Sequence, residues 1–115
     1  MVQTGLDNFE SKILPHVRDR KTGIVCHAPS INSAFKHIID IFHDEGVSLS
    51  SVFGPQHGMF GQTQDNMIEW EGYLHPKLNI PVHSLYGRRR KPTKLMLKET
   101  EILVVDLQDV GARPY

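Results

Sequence analysis

The most distinctive string in the sequence is a glycine-rich segment that brackets a Gln-His pair. Residues 54–61 read Gly-Pro-Gln-His-Gly-Met-Phe-Gly, so the backbone can turn sharply and approach a ligand closely while Gln56 and His57 face it. The segment contains neither Gly-Lys-Ser/Thr nor G-x-G-x-x-G, and it therefore gives little support to nucleotide binding. A ligand-binding loop and a glycine turn with a solvated histidine explain it equally well.

Carboxylates that suit sugar hydrolysis occur at two places. Asp65, Glu69 and Glu71 lie around the single tryptophan, and such hydrolysis needs one carboxyl group to donate a proton and another to stabilise or attack an oxocarbenium-like centre. An exposed surface has the same composition, which is the better explanation of this segment alone. Asp106 differs because it follows an apolar run, where a carboxyl is costly unless it is hydrogen-bonded. It either caps backbone donors or belongs to a site, and we favour the site.

Cationic residues leave two explanations open. The run at residues 88–91 is the only dense positive patch, and it is either a solvated loop or a surface that recognises an anionic ligand. Arg113 can hold a carboxylate by a bidentate contact or pair with Asp109 at the surface. The seven histidines show no H-x-x-x-H or H-E-x-x-H spacing, so we expect no metal ion and no other cofactor.

The elements that must position these residues alternate between strands and helices. This alternation predicts an α/β fold, with a mainly parallel sheet of about four strands and flanking helices joined by right-handed crossovers. The predicted strands cover residues 24–26, 47–53, 80–85 and 102–107, the last being apolar enough for burial on both faces. A leading helix is expected over residues 7–17, capped by Asp7 and stopped by Pro15, and a short one over residues 95–97.

The clearest helix signal is an apolar stripe over residues 35–45. Phe35, Ile38, Ile39 and Phe42 follow helical spacing, and Gly46 can end the helix. Asn32 or Ser33 is expected to cap it.

Ligands of open parallel sheets bind beyond the carboxyl ends of the strands. The residues that leave the four predicted strands are 27–32, 54–61, 84–90 and 108–113, and each exit is polar and contains Gly or Pro. Four such exits on one rim predict a binding site there.

Composition sets the outer limits. The chain has 115 residues, 39% of them hydrophobic, with 13 Lys+Arg against 13 Asp+Glu, which suits one ordinary domain with its own core. Zero net charge predicts no general affinity for nucleic acid or an anionic membrane surface, and no apolar run approaches the roughly 20 residues of a membrane span. The single cysteine does not indicate the compartment, and the absence of a signal-peptide pattern leads us to expect a cytoplasmic protein.

Four strings, in this order and at this spacing, resemble a known family. They are Phe-Gly-Pro-Gln-His-Gly at 53–58, Ser-Leu-Tyr-Gly at 84–87, Arg-Lys-Pro-Thr at 90–93 and Val-Asp-Leu-Gln-Asp-Val-Gly-Ala-Arg at 105–113. With them the sequence resembles the exo-acting β-N-acetylmuramidases of the NamZ type. The resemblance implies a Rossmann-like N-terminal domain of a glycoside hydrolase that removes terminal N-acetylmuramic acid from peptidoglycan fragments.

The resemblance also implies roles for individual residues. The candidate catalytic groups are His57, Asp106, Asp109 and Glu69. Arg88 or Arg113 would meet the lactyl carboxylate of the sugar. The candidate substrate-binding residues are Gln56, Asn32, Tyr86, Arg88, Gln108 and Arg113.

Gln56 departs from the family pattern, in which many members carry Glu at this position. An amide cannot act as a general acid. Another carboxylate, such as Glu69 or Asp106, then takes that role, or this branch binds muropeptide sugars without hydrolysing them or does different chemistry. A metal- or nucleotide-dependent enzyme of the same α/β class is a weaker alternative.

Family members are several times longer than this chain. On the resemblance, residues 1–115 form the N-terminal part of the Rossmann-like domain, without its remainder or the second domain. A sheet cut after a strand exposes an edge or face, so we expect homo-oligomers that form through that surface.

Overall fold

The computed structural model describes residues 3–55, 73–85 and 91–107 of the chain. A five-stranded sheet lies at its centre, with the order β3-β4-β2-β1-β5. Four of the strands are parallel to one another, and the two-residue β3 is antiparallel to β4. The strands are β1 (Lys21–Val25), β2 (Ser48–Gly54), β3 (Tyr73–Leu74), β4 (Pro81–Ser84) and β5 (Ile102–Val105). The predicted α/β class with four parallel strands is confirmed, whereas β3 lies where only a loop was expected.

The leading segment is helical, but its geometry is not the one predicted. A short 3₁₀ helix (Leu6–Asn8) and a π-helix (Phe9–Ile13) precede α1 (Leu14–Val17). The prediction that Pro15 stops the helix is wrong, because Pro15 lies in the first turn of α1, where the missing N–H needs no partner.

Asp7 does not cap that segment, as the sequence had suggested. Its carboxylate accepts hydrogen bonds from the backbone N–H of Thr4 at 2.9 Å, from the backbone N–H of Ser33 at 2.7 Å and from the Ser33 hydroxyl. These bonds, the Ser33 hydroxyl first, hold the pKa of the Asp7 carboxyl well below its usual range. Asp7 therefore ties the leading segment to the loop that follows β1.

The second helix, α2 (Ile38–Asp44), begins later than the apolar stripe suggested. Its N-cap is His37, not Asn32 or Ser33. The Asn32 side chain instead accepts hydrogen bonds from the backbone N–H groups of Ala34 and Lys36, and the resulting turn places Phe35 at φ 62° with 82% of its surface exposed. Side-chain bonds to the backbone outcompete the first helical turn here.

The core forms where α2 and the leading segment pack with side chains of the sheet. The rings of Phe9 and Phe42 lie 4.8 Å apart, and Phe42 is fully buried. Each large side chain buried in this way contributes roughly 1.5–3 kcal/mol. The buried members from α2 and the sheet are Ile38, Ile39, Ile41, Phe42, Ile24, Cys26, Val52 and Val82.

Among the described strands, the last one lies at the edge of the sheet rather than in its interior. β5 pairs with β1 on one side, and Leu103 and Val105 are 40% and 61% exposed. The apolar run was expected to be buried on both faces, and that expectation is wrong. The predicted helix over residues 95–97 is a series of turns, in which the Thr93 hydroxyl accepts from the Met96 N–H. Among the residues described, no helix is long and apolar enough to cross a membrane.

We expect Asp7→Ala to lower the Tm at pH 7, because it removes every acceptor that joins the leading segment to Ser33. The folded-state pKa of Asp7 is lowered, so its stabilisation is present above its ordinary pKa of about 3.9 and is lost as the pH falls toward the folded value. Thermal unfolding at pH 7 and pH 3 measures this, with the exposed Glu10→Ala as control. An equal Tm difference at both pH values would contradict the ionic role.

Gly46 ends α2 at φ 75°, as predicted. Gly46→Ala is expected to cost about 1 kcal/mol of unfolding free energy from backbone strain alone, because an added Cβ meets nothing within 4 Å. Gly5 offers a matched control with equal space but helical backbone angles, so Gly5→Ala is expected to be neutral or stabilising. Urea unfolding measures both, and equal effects at the two sites would refute the explanation.

Candidate active site

The carboxyl ends of the parallel strands lie at one edge of the sheet and continue the ladder by one residue each. The Asp106 N–H donates to the Val25 carbonyl at 2.9 Å, and the Cys26 N–H donates to the Phe53 carbonyl at 3.0 Å. The Leu85 N–H bonds in the same way to β2, at the Gly54 carbonyl. The residues that first leave the strands therefore lie side by side, as the sequence predicted.

A buried serine joins two of these exits. Ser30 is fully buried, and its hydroxyl accepts from the His27 N–H at 3.1 Å and donates to the Asp106 carbonyl oxygen at 2.8 Å. His37 adds a third connection, since its Nε2 contacts the His27 carbonyl at 2.9 Å while its Nδ1 accepts from the Ile39 N–H. These bonds place the His37 ring proton on Nε2. We call Cys26, His27, Ser30, His37 and Asp106 the carboxyl-edge cluster.

Asp106 is the acidic member of the cluster. Its side chain is half-buried, and Oδ2 is fully buried with no hydrogen-bond partner among the residues described. Burial raises the pKa of the Asp106 carboxyl, and the nearby His37 opposes that rise. A carboxyl that retains its proton is a donor, so this environment suits a general acid.

Cys26 and His27 favour their neutral forms. Burial, with the charge of Asp106 as a second cause, raises the pKa of the Cys26 thiol far above its ordinary value, which makes a thiolate nucleophile unfavourable. Burial also lowers the pKa of His27, and His37 lowers it further. Burial therefore shifts Cys26, His27 and Asp106 toward their uncharged forms.

Asp106 lines a cleft at the carboxyl end of β5. The cleft has a volume of about 370 Å³, and Asp106 is the one ionisable side chain among its described lining residues. The lining comes from the leading segment, α2 and β5, and consists of Thr4, Gly5, Leu6, Ile13, Ile38, Val104, Val105 and Asp106.

Asn32, the other predicted site residue that the structure describes, lines a different cleft of about 420 Å³ with Asp7 and Lys36. Its side-chain oxygen is used in the turn before α2. Eight predicted site residues lie outside the described part of the chain, namely Gln56, His57, Glu69, Tyr86, Arg88, Gln108, Asp109 and Arg113.

Sequence analysis missed His27, Ser30 and His37. His27 and Ser30 lie in the first exit, and the signal that could have found them was a polar residue directly after a buried strand. His83 was missed too; it stacks on Phe53 with ring centroids 5.2 Å apart, and burial lowers its pKa. Within residues 3–55, 73–85 and 91–107, no group of three or more His, Cys, Asp or Glu could hold a metal ion.

Comparison with known proteins gives consistent matches. The chain is 36% identical over 115 residues to the peptidoglycan β-N-acetylmuramidase NamZ of Bacillus subtilis strain 168. Two crystal structures of DUF1343 family proteins from Bacteroides fragilis NCTC 9343 superpose with TM-scores of 0.80 and 0.70, at 30% and 27% identity, and each comparison covers 95% of this chain.

The chain spans only about a quarter of the length of these relatives, with 28% of the Bacillus protein and 27% and 26% of the two Bacteroides chains covered. A family description matches over most of the chain, from residue 22 to residue 115, and reads exo-β-N-acetylmuramidase NamZ, N-terminal. With this match over residues 22–115 and 36% identity to a NamZ protein along the chain, the chain belongs to the NamZ N-terminal family.

Proposed function

We propose that this chain is the N-terminal part of a longer exo-β-N-acetylmuramidase and contributes one wall of its cleft. The reaction is the removal of terminal N-acetylmuramic acid from peptidoglycan fragments, and the protein acts in the cytoplasm. One structural observation carries the proposal, namely the buried Oδ2 of Asp106 at the carboxyl end of β5, which has no hydrogen-bond partner in the described part of the chain. Membership of the NamZ family supports it.

Asp106 is the proposed general acid. Cleavage of a glycosidic bond requires a proton on the leaving oxygen, and a carboxyl group that is protonated when the substrate binds can supply it. The amide of Gln56 has no such proton to give. Burial at the end of an edge strand favours the protonated form of Asp106, so this residue can take the role that Gln56 lacks. Asp109 or Glu69 is the proposed second carboxylate.

Polar side chains of the other strand exits would bind the sugar. We assign Arg88 and Arg113 to the lactyl carboxylate, because a guanidinium can hold a carboxylate by two parallel hydrogen bonds. The remaining proposed contacts to the sugar come from Gln56, His57, Tyr86, Asn32 and Gln108.

Asp106→Asn in the full-length protein is expected to lower kcat on a chromogenic N-acetylmuraminide by about 10²–10⁴-fold, with little change in KM. Asp19→Asn is the matched control, because Asp19 precedes β1 at φ 62°, a conformation that Asn also adopts. Turnover that survives in Asp106→Asn would exclude Asp106 as the acid. Sugar binding without turnover in the unaltered protein would instead support a non-catalytic binding module.

The difference in the free energy of unfolding between Asp106→Asn and the unaltered protein should depend on pH. The folded-state pKa of Asp106 is raised, so the protonated carboxyl stabilises the fold fully below its ordinary pKa of about 3.9, and that contribution is lost as the pH rises through the folded value. We therefore expect urea unfolding to show that the variant gains stability relative to the unaltered protein between pH 3 and pH 7. A constant difference would mean that the carboxyl is not desolvated.

Self-association of this chain is proposed through the exposed side of β5. Leu103, Val105 and Leu107 are 40%, 61% and 44% exposed there, and an edge strand with apolar side chains favours pairing with another chain. Sedimentation velocity should show a dimer fraction that increases with protein concentration and is smaller in Val105→Lys. A monomer at every concentration would contradict this proposal.

A further inference from the structure

Ser30 makes four hydrogen bonds that connect three elements of the fold. Its hydroxyl bridges the His27 N–H and the Asp106 carbonyl oxygen. Its backbone N–H donates to the His27 carbonyl at 3.0 Å, and its carbonyl accepts from the Ile38 N–H at 2.8 Å. The exit of β1, the exit of β5 and the first turn of α2 therefore meet at one fully buried residue.

Asp106 has limited support from its own strand. β5 is bonded to β1 alone among the described strands, and the backbone of Asp106 is held by two bonds, its N–H to the Val25 carbonyl and its carbonyl to the Ser30 hydroxyl. The first bond continues the sheet ladder. The second fixes the orientation of the peptide group that follows Asp106, which the ladder leaves undetermined.

We propose that Ser30 is a positioning residue for Asp106, acting through the backbone of the β5 exit and not through contact with substrate. The bridging hydroxyl holds Asp106 against the β1 exit loop and so fixes where its carboxyl lies. This inference rests on the proposed function of Asp106 as the acid. Displacing a catalytic group by a fraction of an ångström is enough to slow a reaction substantially.

Loss of the Ser30 hydroxyl should also change the surroundings of the Asp106 carboxyl, whether or not the protein is active. Without the hydroxyl, the Asp106 peptide group loses a buried partner and can rotate, and its carboxyl becomes more exposed to water. The ionisable group that acts on this carboxyl is the His37 ring at the N-cap of α2, and the charge of Asp106 acts in turn on the buried Cys26 thiol. The Ser30 hydroxyl joins the backbone of His27 to that of Asp106, so a changed titration of Asp106 is expected to report a displacement of the β5 exit relative to the β1 exit.

The first test is a carbon-13 NMR titration of the Asp106 carboxyl in the 115-residue chain. In Ser30→Ala the pKa of Asp106 should fall toward that of an exposed aspartate, whereas Ser30→Thr, which keeps the hydroxyl, should preserve the original titration. Ser51→Ala is the matched control, because Ser51 is also a buried serine and its hydroxyl bonds to that of Thr100, which precedes β5. Should Ser30→Ala fail to fold, Ser30→Cys retains a weak donor and is expected to show a smaller fall.

The second test measures kinetics in the full-length protein. Ser30→Ala should lower kcat on the chromogenic N-acetylmuraminide by about 10–100-fold while KM stays within about threefold, since the hydroxyl does not touch the sugar. If the unaltered protein shows no turnover, the proposed function fails, and the titration still decides the role of Ser30. An identical Asp106 titration in Ser30→Ala and the unaltered chain would overturn the proposal.

Discussion

Parallel pairing of β1 with β5 is the constraint on which the site depends. It pairs Val25 with Val105. The residues that follow them, Cys26 and Asp106, therefore leave the sheet next to each other. The chain must turn immediately after β1, which it does through the bonds of Ser30 to His27. The polar loop that contains Ser30 therefore contacts the backbone of Asp106 at the end of β5.

The chemical character of the site follows from burial rather than from paired charges. Asp106, Cys26 and His27 are all shifted toward their uncharged forms, and burial is the first cause in each. A low-dielectric environment makes a buried dipole or proton donor more effective than it would be in water. The exposed ion pairs, such as that of Lys21 with Glu99 at 3.1 Å, lie in water and add little stability.

Much of the fold could be predicted from the sequence because apolar runs and glycine positions determine it locally. The four parallel strands and the end of α2 at Gly46 both followed from such patterns. The exposure of β5 could not be predicted, because an apolar run does not show how many neighbouring strands it pairs with. The start of α2 was misplaced because the bonds of the Asn32 side chain to the backbone compete with helix formation.

The site itself was only partly predictable. Asp106 was singled out because it follows an apolar run, although that strand is partly exposed, and its role stays a prediction. Ser30 could not be singled out, because its hydroxyl bonds to a backbone group 76 residues away in sequence. The most direct measurement is a crystal structure of the full-length protein with a non-hydrolysable N-acetylmuraminide. We predict that a carboxyl oxygen of Asp106 lies about 2.6–3.2 Å from the glycosidic oxygen. A different carboxyl group at that position, with Asp106 out of reach, would contradict its role as the acid.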